Sequence, residues 1–147
     1  MKKLGTAIVM FMIAAAPARA DVTFKHISAE EAAQAVAGKR LASPIADGPA
    51  FSMSFHKRIE PSHVEKHMGW DEELVIQEGD VLLNTGDSAS NARELSPGEF
   101  NGDAITGART TMLHAGDVVI LPAGLWHQQI PQGPVMRYIL FKTRKAG

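Results

Sequence analysis

The stretch Gly116-Asp117-Val118-Val119-Ile120-Leu121-Pro122-Ala123-Gly124-Leu125-Trp126-His127 places a turn, a strand, a second turn and an imidazole at fixed offsets, and its reading decides the fold. Gly116-Asp117 is a turn dipeptide, Val118 to Leu121 is a short β-branched run that reads as a core strand, and Pro122-Ala123-Gly124 stops it. His127 follows this corner closely. An imidazole carried just past a rigid Pro/Gly turn can be held in one orientation, which a metal ligand requires.

Upstream, His63-Val64-Glu65-Lys66-His67-Met68-Gly69-Trp70-Asp71-Glu72 gives His63, Glu65 and His67 one parity. In an extended chain all three project from the same face. Glu72 lies past a Met-Gly-Trp-Asp corner, at the start of a second strand expected over Leu74 to Gln77 and closed by Gly79-Asp80. Two imidazoles and one or two carboxylates can then converge from neighbouring strands. That donor mixture suits a divalent ion of manganese, iron, nickel or zinc.

These two segments resemble the motifs of the cupin family. The pattern Gly-x5-Pro-x-Gly-x2-His is matched at Gly116, Pro122, Gly124 and His127, and His-x3-4-Glu-x6-Gly at His67, Glu72 and Gly79. Glu65 stands where most cupins have a first histidine, and Pro131 where an asparagine is usual. The ligand set implied is His67, Glu72, His127 and Glu65, with His63 the other residue able to replace the missing imidazole. Together with Trp70-Asp71 and Pro97-Gly98-Glu99-Phe100-Asn101-Gly102, the pattern is similar to small exported single-domain cupins with no assigned reaction. The resemblance covers residues 60 to 142 and implies an all-β, antiparallel jelly-roll barrel with a short N-terminal helix. It implies a metal site but no particular reaction.

Residues 1–20 read as a signal peptide. Lys2 and Lys3 give a positive start, Leu4 to Ala16 is apolar but short for a bilayer crossing, and Ala18-Arg19-Ala20 is a small-x-small cleavage pattern. Cleavage near Ala20 would send the chain to the periplasm or outside the cell, with no membrane segment remaining. The leader carries three basic and no acidic residues, so its loss takes the net charge from −1 to −4. A mature chain of that charge, with its positive residues scattered, argues against a nucleic-acid partner. Cysteine is absent, which excludes disulfides and thiolate ligands and leaves histidine and carboxylate to hold any metal.

The remainder has the size of one domain. Residues 21–50 are expected to be a helix and a loop, and residues 51–147 the barrel. Ser28 to Gly38 reads as the helix, with Ser28 as N-cap, Glu31 completing a capping box and Gly38 ending it. Its alanine-rich surface should lie on the barrel rather than form its core. Ala42 to Ala50 reads as loop. From Phe51 the period becomes two, and strands are expected at Val64 to His67, Leu74 to Gln77, Val81 to Asn84, Thr110 to His114, Val118 to Leu121 and Val135 to Lys142. Thr85 to Arg109, rich in Gly, Ser, Asn and Asp, reads as a long connection able to cross a barrel mouth.

His56 and His114 read as half-buried polar residues with a backbone partner each, and Trp70 and Trp126 as walls or rim packing beside the motif ligands. Arg58, Arg93, Arg109 and Arg137 are all able to clamp a carboxylate, and the sequence does not choose among them. The function these features imply is a periplasmic metal-binding cupin acting on a small organic molecule in the barrel. Its reaction is open between dioxygenation, isomerisation and elimination. The alternative is a non-catalytic module that binds a small ligand or the metal itself. Similar barrels pair through their outer strands, so a homodimer is expected.

Overall fold

The computed structural model describes residues 24–38 and 42–145; the expected leader lies outside the described residues. Among the described residues one helix, α1 (Ala29–Ala35), precedes thirteen strands: β1 (Ala42–Asp47), β2 (Phe51–Arg58), β3 (Val64–His67), β4 (Trp70–Glu78), β5 (Val81–Gly86), β6 (Ser88–Ala89), β7 (Arg93–Ser96), β8 (Glu99–Gly102), β9 (Ile105–Thr106), β10 (Arg109–Leu113), β11 (Val118–Leu121), β12 (Trp126–Pro131) and β13 (Met136–Arg144). All pairings are antiparallel. One sheet runs β1-β2-β13-β4-β11, a second β10-β5-β12-β3-β8-β7, and β6 pairs with β9 in a small third. Strands distant in sequence lie side by side in both large sheets, as in a jelly roll.

The interior is divided along the strands. Alternate residues of β4, Glu72, Leu74 and Ile76, face inward, and β13 sets Lys142 opposite Glu72, Leu140 opposite Leu74 and Tyr138 opposite Ile76. Passing along this ladder, the barrel changes from charged to apolar. Leu74, Ile76, Val81, Leu83, Leu113, Leu121, Met136 and Tyr138 form the principal core. Burial of these side chains contributes about 1.5–3 kcal/mol each, enough to anchor the less favourable polar end to a rigid frame.

The α1 capping box forms as expected: Ser28 Oγ accepts from the Glu31 amide at 3.2 Å, and Glu31 Oε2 accepts from the Ser28 amide at 2.7 Å. The helix stops at Ala35, short of Gly38, and Val36 turns inward instead to pack with Ile45 and Phe55. Three expectations are corrected. Ala42 to Ala50 is not loop throughout, because Ala42–Asp47 pairs with β2 through a bulge that absorbs its irregular sequence. Thr85 to Arg109 is not an open connection: it contains β6 to β9, and β8 pairs residue for residue with β3. Its polar composition reflects short strands at and beside the sheet edge, β7 outermost and exposed and β8 half-buried next to it, where apolar alternation is unnecessary. Val118 to Leu121 is an edge strand rather than a core one, with Val118 and Ile120 65 and 68 % exposed. The strand Trp126–Pro131, which carries His127, has no clear period-two signal because Gln128 and Gln129 interrupt it.

Gly79, between β4 and β5, has φ +85°, and a Cβ there would meet the Val135 carbonyl oxygen at 2.3 Å. Gly79→Ala is therefore expected to lower the unfolding free energy by more than ~2 kcal/mol, from left-handed strain plus the backbone clash. Urea titration checks this. A variant as stable as the parent would show that the turn relaxes freely.

Candidate metal centre

Register builds the site. Glu65 and His67 leave the same face of β3, and across β12 Glu65 stands directly opposite His127. On the other side of β3, His67 stands opposite Glu99 of β8. In the facing sheet Glu72 of β4 stands opposite Lys142 of β13. Each charged group thus has a cross-strand neighbour of complementary chemistry, the geometry in which side chains on a sheet interact most directly.

The sheets bring these pairs together. His67 Nε2 lies 3.2 Å from Glu72 Oε1, and His127 Nε2 lies 3.2 Å from Glu72 Oε2 and 3.7 Å from Glu65 Oε1. The two imidazole centroids are 5.6 Å apart. Donor atoms of Glu65, His67 and His127 all fall within 4.8 Å of one another, so this His/His/Glu group could hold one metal ion. Both rings are fixed from behind. His127 Nδ1 faces the Leu125 carbonyl at 3.2 Å, and His67 Nδ1 pairs with Glu99 Oε2. With Nδ1 of each ring held from behind, Nε2 is the atom aimed inward, and it ligates a metal when the ring is neutral. His127 Nε2 is buried and makes no hydrogen bond, an unpartnered ring nitrogen of the kind a metal satisfies.

Glu72 is 3 % exposed, and Lys142 Nζ approaches its Oε1 at 2.6 Å. Burial works against its charge, but His127, Lys142 and His67 outweigh that penalty and hold its pKa down to about 2. Glu72 is consequently a carboxylate at every physiological pH. Burial likewise disfavours charge on His127, and the nearby carboxylates Glu72 and Glu65 more than reverse it, raising its pKa.

A cavity of about 240 Å³ opens beside the cluster, lined by Glu65, His67, Glu72 and Lys142 and by a second group: Ser52, Ser54, His56, Arg58, Gln129 and Tyr138. Four of these come from alternate positions of β2. Its polar parity faces the cavity, while Phe55 and Met53 on the apolar parity pack outward under α1. His56 Nε2 lies 2.7 Å from Ser54 Oγ, and its ring stacks on Tyr138 at 4.9 Å. Burial, helped by Arg58, lowers the His56 pKa to about 4, and burial raises that of Tyr138.

The four residues expected at the site, His67, Glu72, His127 and Glu65, are brought together. His63 is exposed and does not join them. His114, expected half-buried, is instead exposed beside Asp117, Trp70 lies under the Arg144 guanidinium, and Trp126 packs against Phe100 and Lys66. Sequence reading missed Lys142, Glu99 and the inward row of β2 as a unit, having named only Arg58, as one of four candidate clamps, and His56, as a half-buried polar residue. Lys142 shares its parity with Tyr138 and Leu140, but only the β4–β13 register reveals that it meets Glu72. Glu99 was visible within the Pro97 to Gly102 motif, without a role.

No family model matches the sequence, and no curated protein does. Solved structures do resemble the fold. BH2720 of Bacillus halodurans shares 14 % identity, covering 84 % of each chain at a TM-score of 0.60. A cupin superfamily protein of Desulfitobacterium hafniense, DSY2733, shares 16 % over 71 % of this chain and 77 % of its own, at 0.51. KdgF of a Halomonas species shares 13 % over 71 and 80 %, also at 0.51. The architecture is the cupin jelly roll.

The His56 environment gives a pH signature. Its folded pKa of about 4 lies below the ordinary 6.5, so the unfolded chain binds the proton first as pH falls. Its contribution is complete above pH 6.5 and is lost progressively toward pH 4, amounting to at most about 3 kcal/mol. His56→Gln should flatten the pH dependence of urea unfolding across that window. An unchanged slope would place the His56 titration at its ordinary value.

Proposed function

We propose that this protein is an exported, metal-binding cupin that acts on a small organic molecule in the barrel cavity. One observation carries the reading: a buried imidazole, His127, and a half-buried one, His67, each tied through Nδ1, turn Nε2 toward a common point beside an ionised, buried carboxylate. The donor set is two nitrogens and carboxylate oxygen with no thiolate, which fits manganese, iron, nickel or zinc. His67, His127, Glu65 and Glu72 would hold the ion. A divalent ion bound there supplies Lewis acidity to a substrate oxygen, and iron or manganese adds redox chemistry.

The chain's own residues define the rest. Glu99 and the Leu125 carbonyl keep the imidazoles in the ligating tautomer. Lys142 holds Glu72 by one oxygen. Tyr138, protonated because burial raises its pKa, offers a proton donor, while His56 stays neutral, and both line the cavity beside the cluster. Groups of this kind outside the ligand set support action on a bound molecule. The second reading, a non-catalytic metal- or ligand-binding module, draws its support from the Lys142–Glu72 pair, which already satisfies one carboxylate oxygen that a substrate-activating ion would compete for.

Elemental analysis of untagged protein from the periplasm tests the centre. Stoichiometric metal is expected in the parent and none in His127→Ala, because a lost imidazole removes a donor outright. Glu99→Gln should retain the site while weakening affinity about 10–100-fold. Metal retained at full occupancy in His127→Ala would contradict the assignment. Glu65→Gln tells whether that carboxylate ligates or only orients: loss of metal makes it a ligand.

Mass spectrometry of the exported protein should find Asp21 at the N-terminus, and retention of residues 1–20 would refute the proposed export. The exposed Val118 and Ile120 on edge strand β11 support pairing with a second copy. Light scattering at micromolar concentration should give a dimer, and a monomer would count against it.

A further inference from the structure

The geometry points to Arg58 as the anchor for a short carboxylic acid bound in the cavity beside His67 and His127, which names the class of molecule that the proposed function leaves open. The inference rests on that reading only in assuming that the cavity receives a small ligand.

The other arginines with described surroundings are engaged elsewhere or stand outside. Arg93 pairs with Asp103 at 3.4 Å, Arg137 pairs with Glu78, and Arg144 lies 4.2 Å over the Trp70 ring and donates to the Pro49 carbonyl. Arg109 is exposed on β10. Arg58 differs from all of these. It donates one Nη2 hydrogen bond, 3.3 Å to the Tyr138 hydroxyl, and has no carboxylate within ion-pair distance among the described residues. Its Nε is buried and has no partner. A guanidinium is always charged and presents a planar fork that matches a carboxylate in two parallel hydrogen bonds. Withdrawing such a donor from water without an acceptor is costly, and an anionic ligand removes the cost.

The carboxylates already lining the cavity do not answer this need. Glu72 is matched by Lys142 at 2.6 Å, and Glu65 approaches His127 at 3.7 Å. A second orphan lies on the same wall: Gln129 Oε1 is buried without a donor. A ligand with an anionic end for Arg58 and Tyr138 and a hydroxyl able to donate to Gln129 would satisfy both. Arg58 and His56 also line an open depression with Ile59, Glu60 and Pro61, so the guanidinium borders both solvent and the inner cavity. The inner cavity of about 240 Å³ is small and suits a short acid.

Isothermal titration calorimetry with lactate and its neutral isostere lactamide tests this on the full mature protein, with metal content measured on the same samples. Lactate is expected to bind at least about 10-fold more tightly than lactamide, and Arg58→Gln should weaken lactate about 10–100-fold while leaving lactamide unchanged. Arg58→Lys should recover part of the loss, since it restores charge without the fork. Equal binding of lactate and lactamide, absence of lactate binding at millimolar concentration, or an unchanged lactate affinity in a folded Arg58→Gln would each overturn the assignment. Should Arg58→Gln fail to fold, the lactate-to-lactamide ratio of the parent decides. Arg58-dependent lactate binding in protein devoid of metal would uphold the anchor and refute the metal centre. Full metal occupancy without carboxylate preference would do the reverse.

Discussion

Glu72 carries a negative charge into the barrel interior, and the polar end of the molecule is arranged around compensating it. A carboxylate at 3 % exposure is tolerated only when opposite charge and hydrogen-bond donors replace the water it has lost. Lys142 supplies the charge at 2.6 Å, and two imidazoles close in at 3.2 Å on its two oxygens. The same negative charge that lowers the Glu72 pKa makes this point attractive to a cation. A structural ion pair alone would explain Lys142. It would not explain two histidines whose Nδ1 atoms are tied back and whose Nε2 atoms converge, one of them without a partner.

The strand register produces this without any specialised loop. Glu65 faces His127, His67 faces Glu99, and Glu72 faces Lys142, each across one antiparallel pair. Continuing along β4 and β13, the same inward positions become Leu74, Ile76, Leu140, Tyr138 and Met136. A single ladder therefore supplies both the packed core and the charged floor. A register slip of one residue would turn the ligands out and the core with them, so stability and site geometry are specified together.

The parts of the fold legible in the sequence are those set by short-range chemistry. Turn residues around Gly116, Pro122 and Gly79, the α1 capping box and the parity of Glu65 and His67 all describe local constraints that the structure obeys. The parts that escaped depend on partners remote in sequence. Residues 85–109 look like loop because the exposed edge strand β7 and the half-buried β8 beside it carry no apolar alternation, and Glu99 acquires its role only from pairing with β3. On β2 the apolar residues suggest a core-facing side, yet Met53 and Phe55 pack outward under the helix and leave Ser54, His56 and Arg58 facing inward. No periodicity argument distinguishes two faces that are both covered. The choice between Glu65 and His63 was open because the two share one parity, and the β3–β12 pairing sets Glu65 beside His127.

The proposed metal centre depends on the shared position between the two Nε2 atoms. Anomalous diffraction from crystals of manganese-loaded protein tests it directly. A metal peak ~2.0–2.3 Å from Nε2 of both His67 and His127, with a carboxylate oxygen completing the contacts, is the predicted result. A peak elsewhere, or none between the two imidazoles at full loading, would contradict it and leave Glu72 and Lys142 as a buried structural pair.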